Sequence, residues 1–209
     1  MTQDTQWLNF VQRIDAIAQN GLTFSESAYD QERYQLLRQI AIEMAAAYTE
    51  SDPVMMRDLF TRFDGYGYAT PKIDARGVVF NSQGILLVRE KSDGLWTLPG
   101  GWCDVGDAPS EAVVREVHEE AGFETRAVKL LAVLDRQRHD HPAEPVYSYK
   151  MFFLCEIISG SATTNHETTG VGFFPLATLP PLSTHRVTVK QIERMFAHRQ
   201  HPEWPTDFD

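Results

Sequence analysis

Gly100-Gly101-Trp102-Cys103-Asp104-Val105-Gly106-Asp107-Ala108-Pro109-Ser110-Glu111, continuing as Ala112-Val113-Val114-Arg115-Glu116-Val117-His118-Glu119-Glu120-Ala121-Gly122-Phe123, sets a glycine-rich loop directly before a helix. Pro109 suits the first helical position and Gly122 the helix end. At about 100° per residue with Glu116 at zero, Val113, Val114, Val117 and Ala121 fall between about 60° and 160°, an apolar face. Glu116, Glu119 and Glu120 share an adjacent arc of about 100°. Glu111, Arg115 and His118 occupy the third sector. Carboxylates at i, i+3 and i+4 are neighbours. Two like charges about 4 Å apart repel by about 4 kcal/mol at an effective dielectric of about 20. The one nearby cation is Arg115, which also follows Glu111 by four residues. A divalent cation relieves the repulsion, and Mg²⁺ takes hard oxygen ligands and bridges to phosphate. The three glutamates alone also fit a solvated acidic face. The glycines Gly100, Gly101 and Gly106, which permit close backbone approach to a ligand, turn the reading toward a site.

The composition agrees with an ordinary globular chain. There are 209 residues, 43% hydrophobic and 23% charged, enough for one large domain or a domain with a small appendage. Nineteen Lys and Arg against 29 Asp and Glu give a net charge of −10, which argues against gripping a polyanion by charge alone. A phosphate-bearing substrate then needs a metal to neutralise it. No apolar run is long enough to span a membrane, and the first residues lack the pattern of a signal peptide. The expectation is a cytoplasmic protein whose two cysteines, Cys103 and Cys155, are free thiols.

Upstream, the chain reads as helical through about residue 68. Trp7, Phe10, Val11, Ile14, Ile17 and Ala18 recur at helical spacing, with Asp4 as N-cap and Gly21 closing the run. A second helix fits residues 30–49, with Tyr34, Leu37, Ala41, Met44, Ala45 and Tyr48 on one stripe. A third starts at Ser51-Asp52-Pro53, carries Val54, Met55, Leu59 and Phe60, and stops before Asp64-Gly65-Tyr66-Gly67. From Tyr68 the texture becomes β-like: residues 77–80 and 85–88 across a turn, then 130–134, 147–158 and 170–174. A last helix fits residues 184–197, with Val187, Ile192, Met195 and Phe196 inward, and the tail from His201 reads as loose. The expected division is a small helical domain, 1–68, for packing or dimerisation, and a mixed α+β domain, 69–209. The apolar stripe of the helices packs either on the second domain or on another copy of the chain.

The glycine loop and helix resemble the signature of the Nudix hydrolases. Gly101 opens it, Arg115-Glu116-Val117 and Glu119-Glu120 match, and Gly122-Phe123 closes it, 23 positions in fixed register. Trp96-Thr97-Leu98-Pro99-Gly100-Gly101 resembles the family's entry to this box. Asp107 departs from the pattern, standing where the family has Glu, as does Ala108, where Ser or Thr often caps the helix. The helical segment, Tyr68-Ala69-Thr70-Pro71-Lys72-Ile73-Asp74-Ala75-Arg76-Gly77 and Leu86-Leu87-Val88-Arg89-Glu90-Lys91-Ser92-Asp93-Gly94 resemble a subgroup of CDP-choline and ADP-ribose pyrophosphatases. The implied fold is α+β: a Nudix α/β/α sandwich with a mixed sheet, after an all-helical domain.

The resemblance implies hydrolysis of a nucleoside diphosphate linked to another moiety, yielding a mononucleotide and a phosphorylated leaving group. Glu116, Glu119 and Glu120 are then the catalytic carboxylates holding Mg²⁺ or Mn²⁺, aided by a carbonyl of Gly100 or Gly101. Gly101, Asp107, Glu111, Arg115 and Gly122 brace the box, with Glu111 available as the i+4 partner of Arg115 if the shorter Asp107 reaches less well. One of the glutamates, or a loop carboxylate such as Glu144 or Glu167, takes the proton from water. Arg89, Lys91, Trp102, His139 and Lys150 are the substrate-binding candidates, and Trp96 is expected in the core. Arg136-Gln137-Arg138-His139-Asp140-His141-Pro142 reads as a substrate-side loop, since imidazole suits Mg²⁺ less than oxygen does. The expected partner is a small nucleoside diphosphate derivative, with a homodimer possible and neither DNA nor membrane. The competing functions are a nucleotide sensor without turnover and a housecleaning hydrolase of nucleoside triphosphates.

Overall fold

The computed structural model describes residues 3–49, 52–61, 67–144 and 146–209. Two compact units emerge: Met1–Lys72 with Ala143–Tyr147, and Ile73–Pro142 with Ser148–Asp209. A single cut in the sequence does not anticipate the short Ala143–Tyr147 segment that joins the first unit.

In the first unit, α1 (Gln3–Phe24) and α2 (Ala28–Thr49) are followed by α3 (Pro53–Thr61). Val11, Ala41, Ile42, Ala45, Ala46, Met56 and Phe60 form its core. Helices α1 and α2 run antiparallel: Trp7 stacks on Tyr48 with ring centroids 4.7 Å apart, and Arg38 meets Asp15 at 3.1 Å. Gly21 does not end α1. It sits inside the helix where an added Cβ would stand 2.4 Å from the Tyr34 ring, so it serves close approach. Phe10 and Ile17, grouped by spacing with the core stripe, point outward, as do Val54 and Met55 on α3, where Met56 takes the inward place. Asp52 caps α3, its Oδ1 accepting the Val54 N–H at 2.7 Å. Ser51, the stop at residues 64–66 and the Leu59 side chain lie outside the described residues.

The second unit contains β1 (Lys72–Val79), β2 (Ile85–Glu90), β3 (Trp96–Thr97), β4 (Gly100–Trp102), α4 (Pro109–Ala121), β5 (Phe123–Asp135), β6 (Ser148–Gly160), β7 (Thr168–Phe174), α5 (Val189–Gln200) and β8 (Asp207–Phe208). One sheet has the order β4-β1-β6-β5-β8 and the other β3-β2-β7. Strands β1 and β4, β5 and β6, β2 and β3, and β2 and β7 pair antiparallel, while β8 joins β5 in parallel, so the sheet is mixed. Strand alternation sends Ala75, Val79, Leu86 and Val88 to Val113, Val117 and Ala121 of α4. It sends Val78, Ile85, Leu87 and Phe152 to Val187, Ile192 and Met195 on the α5 side. The result is an α/β/α sandwich. Trp96 packs on this second core, edge-on to Phe174.

Three expectations are corrected here. Strand β5 begins at Phe123, not near Leu130, because register shifts at Glu124/Thr125, Ala127/Lys129 and Leu130/Ala132 break the alternation that marks a strand. Helix α5 starts at Val189, after Thr188, whose hydroxyl accepts the Gln191 N–H while the Gln191 side chain accepts the Thr188 N–H. The tail is docked. Thr206 Oγ1 donates to the Leu130 carbonyl at 2.7 Å, and Asp207 accepts from Arg194 and from His198 Nε2.

His141 belongs to this scaffold. Its Nδ1 donates to the Thr184 carbonyl at 2.7 Å, and its Nε2 accepts from Gln191, 3.0 Å away. Burial pushes the imidazole down to about 4. The unfolded chain takes up a proton near pH 6.5 that the folded chain refuses until about 4, so stability falls as pH drops through that window. His141→Gln is expected to narrow the gap between melting temperatures at pH 7 and pH 5. An unchanged gap would remove His141 as the cause.

Candidate active site

Helix α4 carries the acid arc. Pro109 opens it, and the Ala108 N–H donates to Glu111 Oε2 at 3.1 Å, half of a capping box that Ala108 has no side chain to complete. Glu111 therefore braces the helix start and does not pair with Arg115, correcting the expected i+4 link. Gly122 ends the helix in the left-handed region at φ 78°, its N–H on the His118 carbonyl at 2.9 Å.

With Val113, Val117 and Ala121 in the core, the arc rolls partly inward. Glu120 is 5% exposed, and its Oε2 accepts the Gly100 N–H at 2.9 Å. Glu116 is half-buried and faces Gly101: a Cβ there would lie 3.7 Å from its carboxylate. Glu119 is half-exposed. Arg115 Nη1 reaches Glu116 Oε1 at 2.9 Å and Glu119 Oε2 at 3.1 Å, while Nη2 lies 3.5 Å from Asp104 and from Asp107. The short Asp107 is thus at the edge of hydrogen-bond range. Burial pushes Glu120 up to about 8 against the pull of the Arg76 charge. Burial also raises Glu116, with Arg115 opposing.

Gly100 explains how the loop is placed. Its φ is +135°, and an added Cβ would stand 2.1 Å from the Ala75 carbonyl oxygen of β1. No other residue lets the loop lie this close to β1 while presenting its N–H to Glu120.

Behind the loop is a buried ionic group that the sequence reading did not single out apart from Lys150. Arg76 Nε donates to Asp74 Oδ1 at 2.7 Å and Nη1 to the Leu98 carbonyl at 3.2 Å. Lys150 Nζ donates to Asp74 Oδ2. Burial alone would raise the Asp74 carboxyl, but Arg76 and Lys150 hold it low. Burial lowers Lys150 to about 8, Asp74 opposing. Glu90, 9% exposed, meets Arg186 Nε at 3.2 Å, and Arg186 also holds Asp93 at 3.0 Å. The available signal was alternation: Asp74 and Arg76 share the inward register of Val78 on β1.

The remaining candidates have contacts of their own. Lys150 is 1% exposed, its ammonium committed to Asp74 and not displayed at a surface. Arg89 Nε donates to the Gly94 carbonyl at 2.8 Å in the β2–β3 turn, and the Lys91 N–H donates to Glu167. Trp102, at the end of β4, is 43% exposed. His139 Nε2 meets Asp209 at 3.1 Å, Asp140 pairs with Lys190, and His141 turns to Thr184. The three side chains of the His-Asp-His run diverge, so they form no common centre. Glu167 is exposed, and the Glu144 carbonyl accepts from Gln12 in the first unit.

The donor set of the arc fits a hard divalent cation: three carboxylates on one helical turn, two of them kept from water and costly to ionise unaided. In this structure Glu116 and Glu119 are turned onto Arg115, and among the described residues no three acidic, His or Cys groups close on one point.

Comparison with known proteins agrees over nearly the whole chain. A family model described as a UDP-X-like, N-terminal oligomerisation domain matches residues 5–60, and one described as the NUDIX domain matches residues 70–195. The chain is 48% identical over 205 residues to the "Putative ADP-ribose pyrophosphatase YjhB" of Bacillus subtilis (strain 168), covering 98% of each. A crystal structure of an ADP-ribose pyrophosphatase from Streptococcus suis 89-1591 aligns with TM-score 0.61 and 42% identity, over 67% of this chain and 100% of that one. A crystal structure of UDP-X diphosphatase aligns with TM-score 0.63 and 32% identity over 99% of both chains. With the box in register on α4 and the matched domain spanning more than half its length, the chain belongs to the Nudix hydrolases.

Proposed function

We propose that the protein hydrolyses the pyrophosphate bond of an ADP-ribose-type substrate, releasing a nucleoside monophosphate and a phosphorylated sugar. The observation that carries this reading is the Glu116, Glu119 and Glu120 arc set over the Gly100-Gly101 loop. Glu116, Glu119 and Glu120, with the Gly100 carbonyl, are the residues to hold Mg²⁺ or Mn²⁺. A divalent cation there would neutralise diphosphate oxygens and acidify a water molecule. Water oxygen bonds to one phosphorus while the bridging P–O bond breaks, and the leaving phosphate departs with the bridging oxygen. Glu120, buried and reluctant to ionise, is placed to hold or release a proton near the loop. Arg115 keeps Glu116 and Glu119 oriented, and Trp102 offers an exposed ring for stacking. Arg89, Lys91 and His139 remain candidates for the substrate's outer groups.

The names of the relatives turn the choice away from CDP-choline and toward ADP-ribose. The UDP-X diphosphatase likeness, which spans both chains, favours a UDP-linked diphosphate as the second reading. For the first 68 residues, the proposed role is packing and oligomerisation, supported by the matching family description.

The test is a panel with Mg²⁺ or Mn²⁺: ADP-ribose, UDP-linked sugars, CDP-choline and nucleoside triphosphates, with products separated by chromatography. AMP and ribose 5-phosphate from ADP-ribose are expected. UMP from a UDP-linked sugar alone would favour the second reading. Pyrophosphate from triphosphates would indicate housecleaning, and tight nucleotide binding without cleavage would indicate a sensor.

A further inference from the structure

The chain changes sheets immediately before the loop that faces the acid arc. Strand β3 lies in the sheet β3-β2-β7 and β4 in the sheet β4-β1-β6-β5-β8, with Leu98 and Pro99 between them. These two residues belong to neither sheet, and Pro99 has no N–H to donate. Their carbonyls still need donors, because this crossover is buried. Consecutive residues of β1 supply them. The Gly77 N–H donates to the Pro99 carbonyl at 2.8 Å, and Arg76 Nη1 donates to the Leu98 carbonyl at 3.2 Å.

The Arg76 side chain is held at two points. Its Nε donates to Asp74 Oδ1 at 2.7 Å, and Lys150 of β6 donates to the other Asp74 oxygen. A planar guanidinium anchored at Nε and at Nη1 has a fixed plane, which the point charge of an ammonium does not provide. What it fixes adjoins the acid arc. Arg76 stands opposite Gly100 in the β1–β4 register, and the Gly100 N–H is the donor to Glu120 at 2.9 Å. Burial raises the Glu120 and Glu116 carboxyls, and the Arg76 charge pulls both back, so this cation acts on two of the three carboxylates from the protein interior.

We propose that Arg76 is a positioning residue for the reaction: by holding the Leu98 carbonyl at the crossover it sets the Gly100 peptide, and through that peptide the Glu120 carboxylate. The inference rests on the hydrolytic reading of the acid arc and adds a residue that touches neither substrate nor metal. The chain of contacts runs from Lys150 to Asp74, to Arg76, to the Leu98 carbonyl, and ends with the Gly100 N–H on Glu120. Asp74 and Lys150 hold the guanidinium, and the guanidinium holds the loop. Small displacements of such a loop are costly, since catalytic groups act within a fraction of an ångström of their productive geometry.

The test is Arg76→Lys in the full chain. It keeps a positive charge beside Asp74 and gives up the fork, while Lys150 still meets Asp74. In metal-free protein, hydrogen exchange read by nuclear magnetic resonance is expected to show the Gly100 amide at least tenfold less protected, with the α5 amides unchanged. Mn²⁺ titration of the same protein is expected to give a dissociation constant raised about tenfold. With ADP-ribose and Mg²⁺, kcat is expected to fall about thirtyfold while KM stays within about threefold. A purely structural role would lower protection across the unit, α5 included, and that result overturns the proposal. So does wild-type protection at Gly100, wild-type Mn²⁺ affinity or wild-type kcat in the variant. If the wild type cleaves no member of the substrate panel, the hydrolytic reading fails, and the exchange and Mn²⁺ readouts still judge Arg76. Should Arg76→Lys not fold, Arg76→Gln is read in the same assays with the same losses expected. Failure of both to fold would make Arg76 a support of the whole unit and overturn its assignment to the site.

Discussion

The Glu120→Gln variant is expected to lose about three orders of magnitude in turnover, a barrier increase of about 4 kcal/mol, while folding at least as stably as wild type. The two effects share one cause. Glu120 is buried, and its carboxylate accepts a hydrogen bond from the Gly100 N–H of the loop. Burial pushes its carboxyl up to about 8, against a usual value near 4.5. Between those values the folded chain keeps a proton that the unfolded chain releases. The unfolded state then binds fewer protons, and metal-free stability declines as pH rises from about 4.5 through 8, by up to a few kcal/mol. Glutamine has no proton to lose. In EDTA, the wild-type melting temperature should fall more between pH 5 and pH 8 than that of Glu120→Gln. Parallel decline in both proteins, or a variant with wild-type turnover, would take Glu120 out of the role given to it.

The Asp74→Ala variant should be the most damaging single truncation in the second unit. Asp74 is the shared partner of two buried cations, Arg76 and Lys150. Removing one member of a buried ionic group typically costs about 3–5 kcal/mol. Total stabilities run to about 5–15 kcal/mol, so a melting temperature lower by about 10 °C is expected. The two cations differ in how they respond. Lys150, already lowered to about 8, sheds its proton when Asp74 goes, whereas a guanidinium does not deprotonate. Adding Arg76→Met to Asp74→Ala should therefore recover more stability than adding Lys150→Met. Calorimetry of the three variants checks this, and a loss under about 1 kcal/mol for Asp74→Ala would show that the charges are relieved in some other way.

Helix α4 was legible to its last residue because three signals coincide there: Pro109, the apolar spacing of Val113, Val117 and Ala121, and Gly122. The same spacing puts three glutamates, Glu116, Glu119 and Glu120, on one arc. What escaped the sequence did so for identifiable reasons. Strand β1 reads as starting at Gly77, since Asp74 and Arg76 are polar at inward positions, and their burial makes sense only with Lys150 across on β6. Glu90 and Arg186 are 96 positions apart in the sequence, so nothing local joins them. The β5 bulges hid seven residues of strand. On the helical hairpin, spacing alone merged Phe10 and Ile17 with Val11 and Ala18, because neighbouring stripes of one helix differ by a single step of rotation. Only the position of α3 separates the buried stripe from the open one.

The most direct test of the acid arc is Mn²⁺ titration of EDTA-stripped protein, with free metal read by electron paramagnetic resonance. Saturable binding is expected in wild type, weakened at least tenfold in Glu116→Gln and in Glu120→Gln, and little changed in Glu144→Gln or Glu167→Gln. Identical isotherms for wild type and the two arc variants would contradict the assignment of the metal to α4, and with it the proposed hydrolytic site.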